Sequence, residues 1–185
     1  MNKSDELYQS FQAKLDGIAG DDGKCYHTTK AELVPFLKKI FEENGASSAC
    51  VYESPLMKEI GIVPGLKDAG ITVHTDNIRK NAETDTIGIT EVEYGLADLG
   101  TVVQMKQDAD GRIAATLVQI HIALLKRSGL LDGLDTMIDK LCELPEMPNF
   151  VGFITGPSRT ADIECVGTIG VHGPLQMMAI VIDDE

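Results

Sequence analysis

Residues 175–183, LQMMAIVID, set six consecutive apolar side chains between Gln176 and Asp183. The run is far short of the ~20 residues that a membrane span needs. Without polar alternation, it reads as a β-strand buried on both faces. TLVQIHIALL, residues 116–125, is a second, β-branched run of the same kind. Strands buried on both faces belong to parallel sheets covered by crossover helices. The segments around these two runs should therefore alternate between helix and strand.

Leu7, Phe11, Leu15 and Ile18 recur at helical spacing and predict a first helix over 3–18, ended by the loop GDDGK. Leu33, Leu37, Ile40 and Phe41 share one face of a second helix that stops at Gly45. Thr29 and Glu32 have capping-box spacing. Pro35 would then fall in the helix interior and remove a hydrogen bond, so a later start or a kink must resolve the conflict. SACVYES (48–54) and ITVHT (71–75) read as strands joined by a helical connection over 55–70. TIGIT (86–90), GLAD (95–98) and TVVQM (101–105) are short β-like pieces, and DADG (108–111) reads as a turn. Residues 130–144 predict a helix with Leu134, Met137, Ile138 and Leu141 on one face, followed by the strand NFVGFITG (149–156). The expected architecture is one three-layer α/β domain over 1–185, a largely parallel sheet flanked by helices. Residues 1–22 form its amino-terminal helical segment.

The formal net charge is −13. It repels nucleic-acid phosphates and anionic lipid head groups, which excludes both as partners. The charged, amphipathic amino terminus has no apolar signal core, and a cytoplasmic location is expected. Cys25, Cys50, Cys142 and Cys165 are dispersed with no C-x-x-C pair. That spacing suits neither a cysteine-ligated cluster nor a zinc ribbon, and the thiols read as buried or half-buried. No G-x-G-x-x-G follows a strand, GDDGKC fails the P-loop spacing, and Gln119 stands where a calcium loop starting at Asp108 needs its glutamate. No cofactor and no metal is expected. His27 reads as a surface residue of a loop, His74 ends a strand, and His121 lies inside an apolar one. His172 differs, because GVHGP places it between glycines where backbone can approach a ligand.

GPSRTADIECVGTIGVHGP, residues 156–174, sets an arginine, two carboxylates and a histidine among glycines and prolines. Gly156 and Pro157 can end a strand and start a helix, whose free N–H groups beside Ser158, Arg159 and Thr160 would suit an anion. Arg159 offers a planar fork for a carboxylate or phosphate. A turn in which Arg159 pairs with Asp162 or Glu164 explains the same residues, and the chemistry alone leaves both readings open. The stretch follows the carboxyl end of the strand NFVGFIT, the end at which parallel sheets hold ligands, and this favours a site.

TGPSRTADIE followed by GVHGP and a terminal apolar strand closely resembles the LUD (lactate-utilization domain) family. TIGITEVEYGLADLGTVV matches the family's Gly-Ile-Thr turn, acidic position and Gly-Thr pair. Asp98-Leu99-Gly100-Thr101 stands where the family usually shows Glu-Thr-Gly-Thr. The resemblance implies a fold like that of ribose-phosphate isomerase, CoA transferase and formyltetrahydrofolate cyclo-ligase. It also implies a role in oxidising lactate to pyruvate within a multi-protein system whose sister components carry iron–sulfur clusters.

On that reading the chain is the cluster-free accessory component, binding a small anion or the iron–sulfur protein components. Ser158, Arg159, Thr160, Thr101, Gly156 and Gly173 would form the binding site. Glu164, His172 and Asp98 are the candidates for proton transfer, histidine being the side chain that changes charge nearest neutral pH. The alternative is a stand-alone enzyme whose isomerase-like or CoA-transferase-like cleft acts on a phosphorylated or CoA-linked small molecule, with Glu164 or Asp98 as base or nucleophile. A third possibility is an interaction module in which the motif is structural.

Overall fold

The structure, a computed structural model, describes residues 2–106, 108–158 and 172–184. Helix α1 (Lys3–Ala19) is capped by Asn2 and leads into strand β1 (Gly23–Thr29). Helix α2 (Leu33–Glu43), strand β2 (Ser48–Tyr52), helices α3 (Pro55–Ile60) and α4 (Ile62–Asp68), and strand β3 (Thr72–His74) follow. The short helix α5 (Ile78–Asn81) returns the chain to strand β4 (Ile87–Val92). Strands β5 (Tyr94–Leu96) and β6 (Thr101–Lys106), helix α6 (Ala109–Thr116), and strands β7 (Ile120–Lys126) and β8 (Leu130–Leu131) come next. Helix α7 (Leu134–Cys142) and strands β9 (Phe150–Ile154) and β10 (Gln176–Asp183) complete the described elements.

The two quoted apolar runs sit side by side. β10 and β7 are adjacent and parallel in a six-stranded sheet of order β1-β10-β7-β4-β2-β3, in which every pairing is parallel. Their alternate residues feed two different cores. Ile120, Ile122 and Leu124 join Met178, Ile180 and Ile182 under α2, α3 and α4. Ala123 and Leu125 join Met177, Ala179 and Val181 against Phe11 and Leu15 of α1. A strand that must satisfy apolar surroundings on both faces has no polar positions to alternate with.

The second face also carries a four-stranded sheet of order β8-β5-β6-β9, in which β6 pairs antiparallel with both β5 and β9. Val102 points to the core against α1 and Val103 to a small outer core with Leu96 and Met137 of α7. The three-layer α/β expectation holds, with this extra sheet added.

Several local expectations change. α2 starts at Leu33, which puts Pro35 in the first turn, where no intrahelical hydrogen bond is lost. DADG is not a plain turn: Asp108 caps α6, accepting hydrogen bonds from the N–H groups of Asp110 (3.1 Å) and Gly111 (3.3 Å). The buried strand expected from residue 116 therefore begins at Ile120. His27 lies in strand β1 rather than in a loop, with its Nε2 2.8 Å from Asp183 Oδ1. Ile18, Leu134 and Ile138 were expected on apolar faces and are exposed. Cys25 and Cys50 are buried, whereas Cys142 is exposed.

Buried polar groups are few. Thr90 Oγ1 lies 2.9 Å from His121 Nε2, and Gln104 Nε2 donates to that hydroxyl and to the Gly111 carbonyl, each at 3.2 Å. Lys106, almost fully buried, donates to Glu93 Oε1 (2.8 Å) and the Glu91 carbonyl (2.9 Å). Burial lifts the Cys25 and Cys50 thiols to about 12, so neither is a thiolate at neutral pH.

Candidate functional site

The antiparallel β6–β9 register pairs Val102 with Ile154, which leaves Thr101 facing Thr155 just past the strand. Their hydroxyl oxygens are 2.9 Å apart. Beyond Thr155, Gly156 (φ +118°) turns the chain across the end of α6, and Pro157 and Ser158 follow. His172, Gly173 and Pro174 arrive from the other side and lead into β10, where the Leu175 and Gln176 N–H groups donate to the Gln119 carbonyl at 2.8 and 3.1 Å. Between these segments lies a cleft of about 250 Å³. Its polar lining is Thr116, Thr155, Ser158 and His172, with Phe153, Ile154 and Ala115 as apolar wall.

Four of the expected site residues, Gly156, Ser158, His172 and Gly173, therefore line one cleft. Thr101 does not line it. It is 3 % exposed and holds Thr155 from behind. Arg159, Thr160 and Glu164, like Asp162, lie outside the described residues. Asp98 lines a different cleft of about 300 Å³, with Asp132, Gly133, Leu134, Asp135 and Thr136. Thr155 and Thr116 were not anticipated. Thr155 directly precedes Gly-Pro at a strand end, a signal that was available, whereas Thr116 is brought in only by the unforeseen helix α6.

The position of the cleft differs from the expectation. β9 belongs to the four-stranded sheet, so its carboxyl end is not a carboxyl end of the parallel sheet. The cleft sits instead at the amino ends of β7 and β10, beside the residues that enter them. The carboxyl ends are occupied by ion networks. Arg127 pairs with Asp5 and, at 3.2 Å, with Asp183, and its Nε donates to Ser4 Oγ. The hydrogen bond from His27, together with Arg127, holds the Asp183 carboxyl below its ordinary range. Farther along, the Tyr52 hydroxyl donates to Asp108 Oδ2 (2.7 Å), and that bond, with burial, lifts the phenol to about 12. Among the described residues no group of three or more His, Cys, Asp and Glu side chains is placed to hold a metal ion.

The turn from Leu96 to Thr101 separates Asp98 from Thr101. The Gly100 N–H donates to the Leu96 carbonyl (2.9 Å), and Gly100 has φ +63°. A Cβ there would lie 2.4 Å from the Leu15 nitrogen of α1. Gly100→Ala combines left-handed backbone strain with a clash against a helix backbone. It is expected to cost roughly 3 kcal/mol of stability, read by urea unfolding. A cost under about 1 kcal/mol would show that α1 moves freely away from this turn.

Comparison with known proteins places these features in a family. The family model for the LUD domain matches residues 21–182. A lactate utilization protein C from Geobacillus sp. (strain WCH70) is 31% identical over 195 residues, covering 98% of this chain and 80% of the relative. A lactate utilization protein C from Halalkalibacterium halodurans is also 31% identical, covering all of this chain and 82% of the relative. A crystal structure of a DUF162 family protein from Deinococcus radiodurans superimposes with a TM-score of 0.65 at 14% identity, covering 98% of this chain and 99% of that one. The fold is thus shared with a solved structure. With the family model spanning both sheets and both walls of the cleft, this chain belongs to the LUD-domain family.

Proposed function

We propose that this chain is an accessory component of a lactate-utilization system. It would hold a small carboxylate in the cleft between residues 153–158 and 172–174, while iron–sulfur partner proteins take the two electrons removed when lactate becomes pyruvate. The observation that carries the reading is the near full-length similarity to proteins named lactate utilization protein C. A cleft of about 250 Å³ suits a ligand of a few heavy atoms rather than a nucleotide. Ser158 and Thr155 supply hydroxyls at its wall, and Thr101 fixes Thr155 in place. In this proposal Arg159 and Thr160, which follow Ser158 directly, bind the anion, and His172 and Glu164 handle protons. A stand-alone enzyme would need a base or nucleophile in the cleft. No Asp or Glu lines it among the described residues, so His172 is the base that the described lining offers.

Two measurements test the reading. A deletion strain should lose growth on lactate and recover it with the wild-type chain. Lactate or pyruvate at about 100 times its Kd should stabilise the purified protein by about 2.7 kcal/mol, a rise in Tm of roughly 5–10 °C. Arg159→Ala should abolish that rise. Unaltered growth on lactate, with no stabilisation by either carboxylate, defeats the proposal. Stabilisation by phosphates or CoA esters alone would favour the enzyme alternative.

A further inference from the structure

We infer that the outward face of α7, with the turn that carries Asp98, is a docking surface for a partner segment presenting Lys or Arg beside apolar side chains. The source of that segment, an iron–sulfur partner protein, rests on the function proposed above. α7 spends its apolar residues on two sides. Met137 is fully buried against the four-stranded sheet, whereas Leu134 and Ile138, one turn apart on another face, are 43% and 47% exposed. Leu99, 39% exposed, belongs to the turn that lays the Asp98 carboxylate against Gly133, the residue that precedes α7. Exposed leucine and isoleucine at these positions contribute little to the domain's own core, and apolar faces of this kind mark contact sites when polar groups rim them.

The rim here has one sign. Asp98, Asp132 and Asp135 line the cleft of about 300 Å³ at the start of α7, together with Leu134. Asp132 is paired with Lys3 at 3.1 Å in an exposed bridge, and Asp98 and Asp135 have no ion-pair partner among the described residues. A second copy of this chain would bring carboxylates onto carboxylates within a protein of net charge −13. A cationic, amphipathic segment fits instead. Its ammonium or guanidinium would enter the acidic cleft, its aliphatic stem would lie along Leu134, and its apolar residues would cover Ile138.

The test uses the full-length protein and purified iron–sulfur partner proteins in a direct binding assay. Wild-type affinity should weaken about tenfold between about 50 and 300 mM NaCl. L134K/I138K should weaken it by about 30-fold or more, and D132N/D135N by about tenfold, both with an unchanged Tm because the side chains are exposed. Binding that is undiminished in both variants overturns this surface and leaves the accessory reading standing. Failure of the wild type to bind any such partner removes the accessory reading, and this surface with it. A concentration-dependent dimer that L134K/I138K dissolves in sedimentation velocity would assign the face to a second copy and overturn the cationic partner.

Discussion

Gly88→Ala is expected to abolish folding or to cost at least about 4 kcal/mol, because among the described glycines it brings an added Cβ closest to another atom. Gly88 sits in the centre of the parallel sheet, level with Cys50 and His121 on the neighbouring strands. A Cβ at this position would lie 1.9 Å from the carbonyl oxygen of Ala114 and 2.9 Å from Val118 Cγ2. The first of these atoms is helix backbone, so no rotamer change relieves the contact. α6 would have to lift off the sheet. Lifting it pulls apart the Gln104 bond to the Gly111 carbonyl and the Asp108–Tyr52 bond, both anchored in the first turn of the same helix. Overpacking usually costs 1–3 kcal/mol, and the loss of a buried network adds to that. Thermal and urea denaturation of the variant measure the effect. Gly17→Ala is the control: nothing lies within 4 Å of its Cβ in α1, and a gain of about 0.5–1 kcal/mol is expected from helix propensity. A Gly88→Ala variant as stable as wild type would mean that α6 is not seated on β4.

The second large effect is a loss of stability in mild acid that originates at His121. Its ring is fully buried, Nε2 meets the Thr90 hydroxyl, and Nδ1 has no hydrogen-bond partner among the described residues. Burial pushes the imidazole from its ordinary 6.5 down to about 4. In the unfolded chain the ring takes up a proton near 6.5, whereas the folded chain resists until about 4. Protons therefore favour unfolding between those values. The stability held above pH 6.5 declines as the pH falls, by roughly 3 kcal/mol in all, and the decline levels off below about 4. Asp108 and Asp183 are held below the ordinary carboxyl value of 3.8, so their contributions are lost only at lower pH. Urea unfolding at about pH 7, 5.5 and 4.5 gives the slope. His121→Gln, which keeps a polar group near Thr90 but cannot titrate, should flatten it. Equal slopes in the two proteins would place the acid sensitivity elsewhere.

What could be read from the residues follows from how each element is buried. β7 and β10 announce themselves because each is covered on both faces and so carries an unbroken apolar run. β1 is an edge strand with only β10 beside it, its exposures alternate, and Lys24, His27 and Thr29 make it look like loop. α6 is short and built from ADGRIAAT, so no apolar periodicity marks it. Only the Asp108 cap does, and an aspartate before Ala-Asp-Gly is equally at home in a turn. The four-stranded sheet escaped for another reason. Its β6–β9 pairing joins residues 102 and 154, and periodicity reports which face is buried but not which distant strand does the burying. That pairing is also what moved the cleft from the carboxyl to the amino ends of the main sheet. The clustering of Gly156 and Ser158 with His172 and Gly173 was legible because the two motifs flank one short segment. The separation of Asp98 from Thr101 was not, because it depends on the left-handed Gly100 between them.

The clasp formed by Arg127 has a consequence for the chain as a whole. One guanidinium holds Asp5 near the beginning and Asp183 near the end, while Ser128 binds Asp184 through its N–H and hydroxyl. Residues 4–5 and 183–184 thus meet at one point, at the carboxyl ends of β7 and β10 and away from the cleft at their amino ends. Non-covalent bonds tie the start of α1 to the end of β10. Substituting Arg127 would therefore loosen α1 and the end of β10 together, at the opposite end of the parallel strands from the cleft.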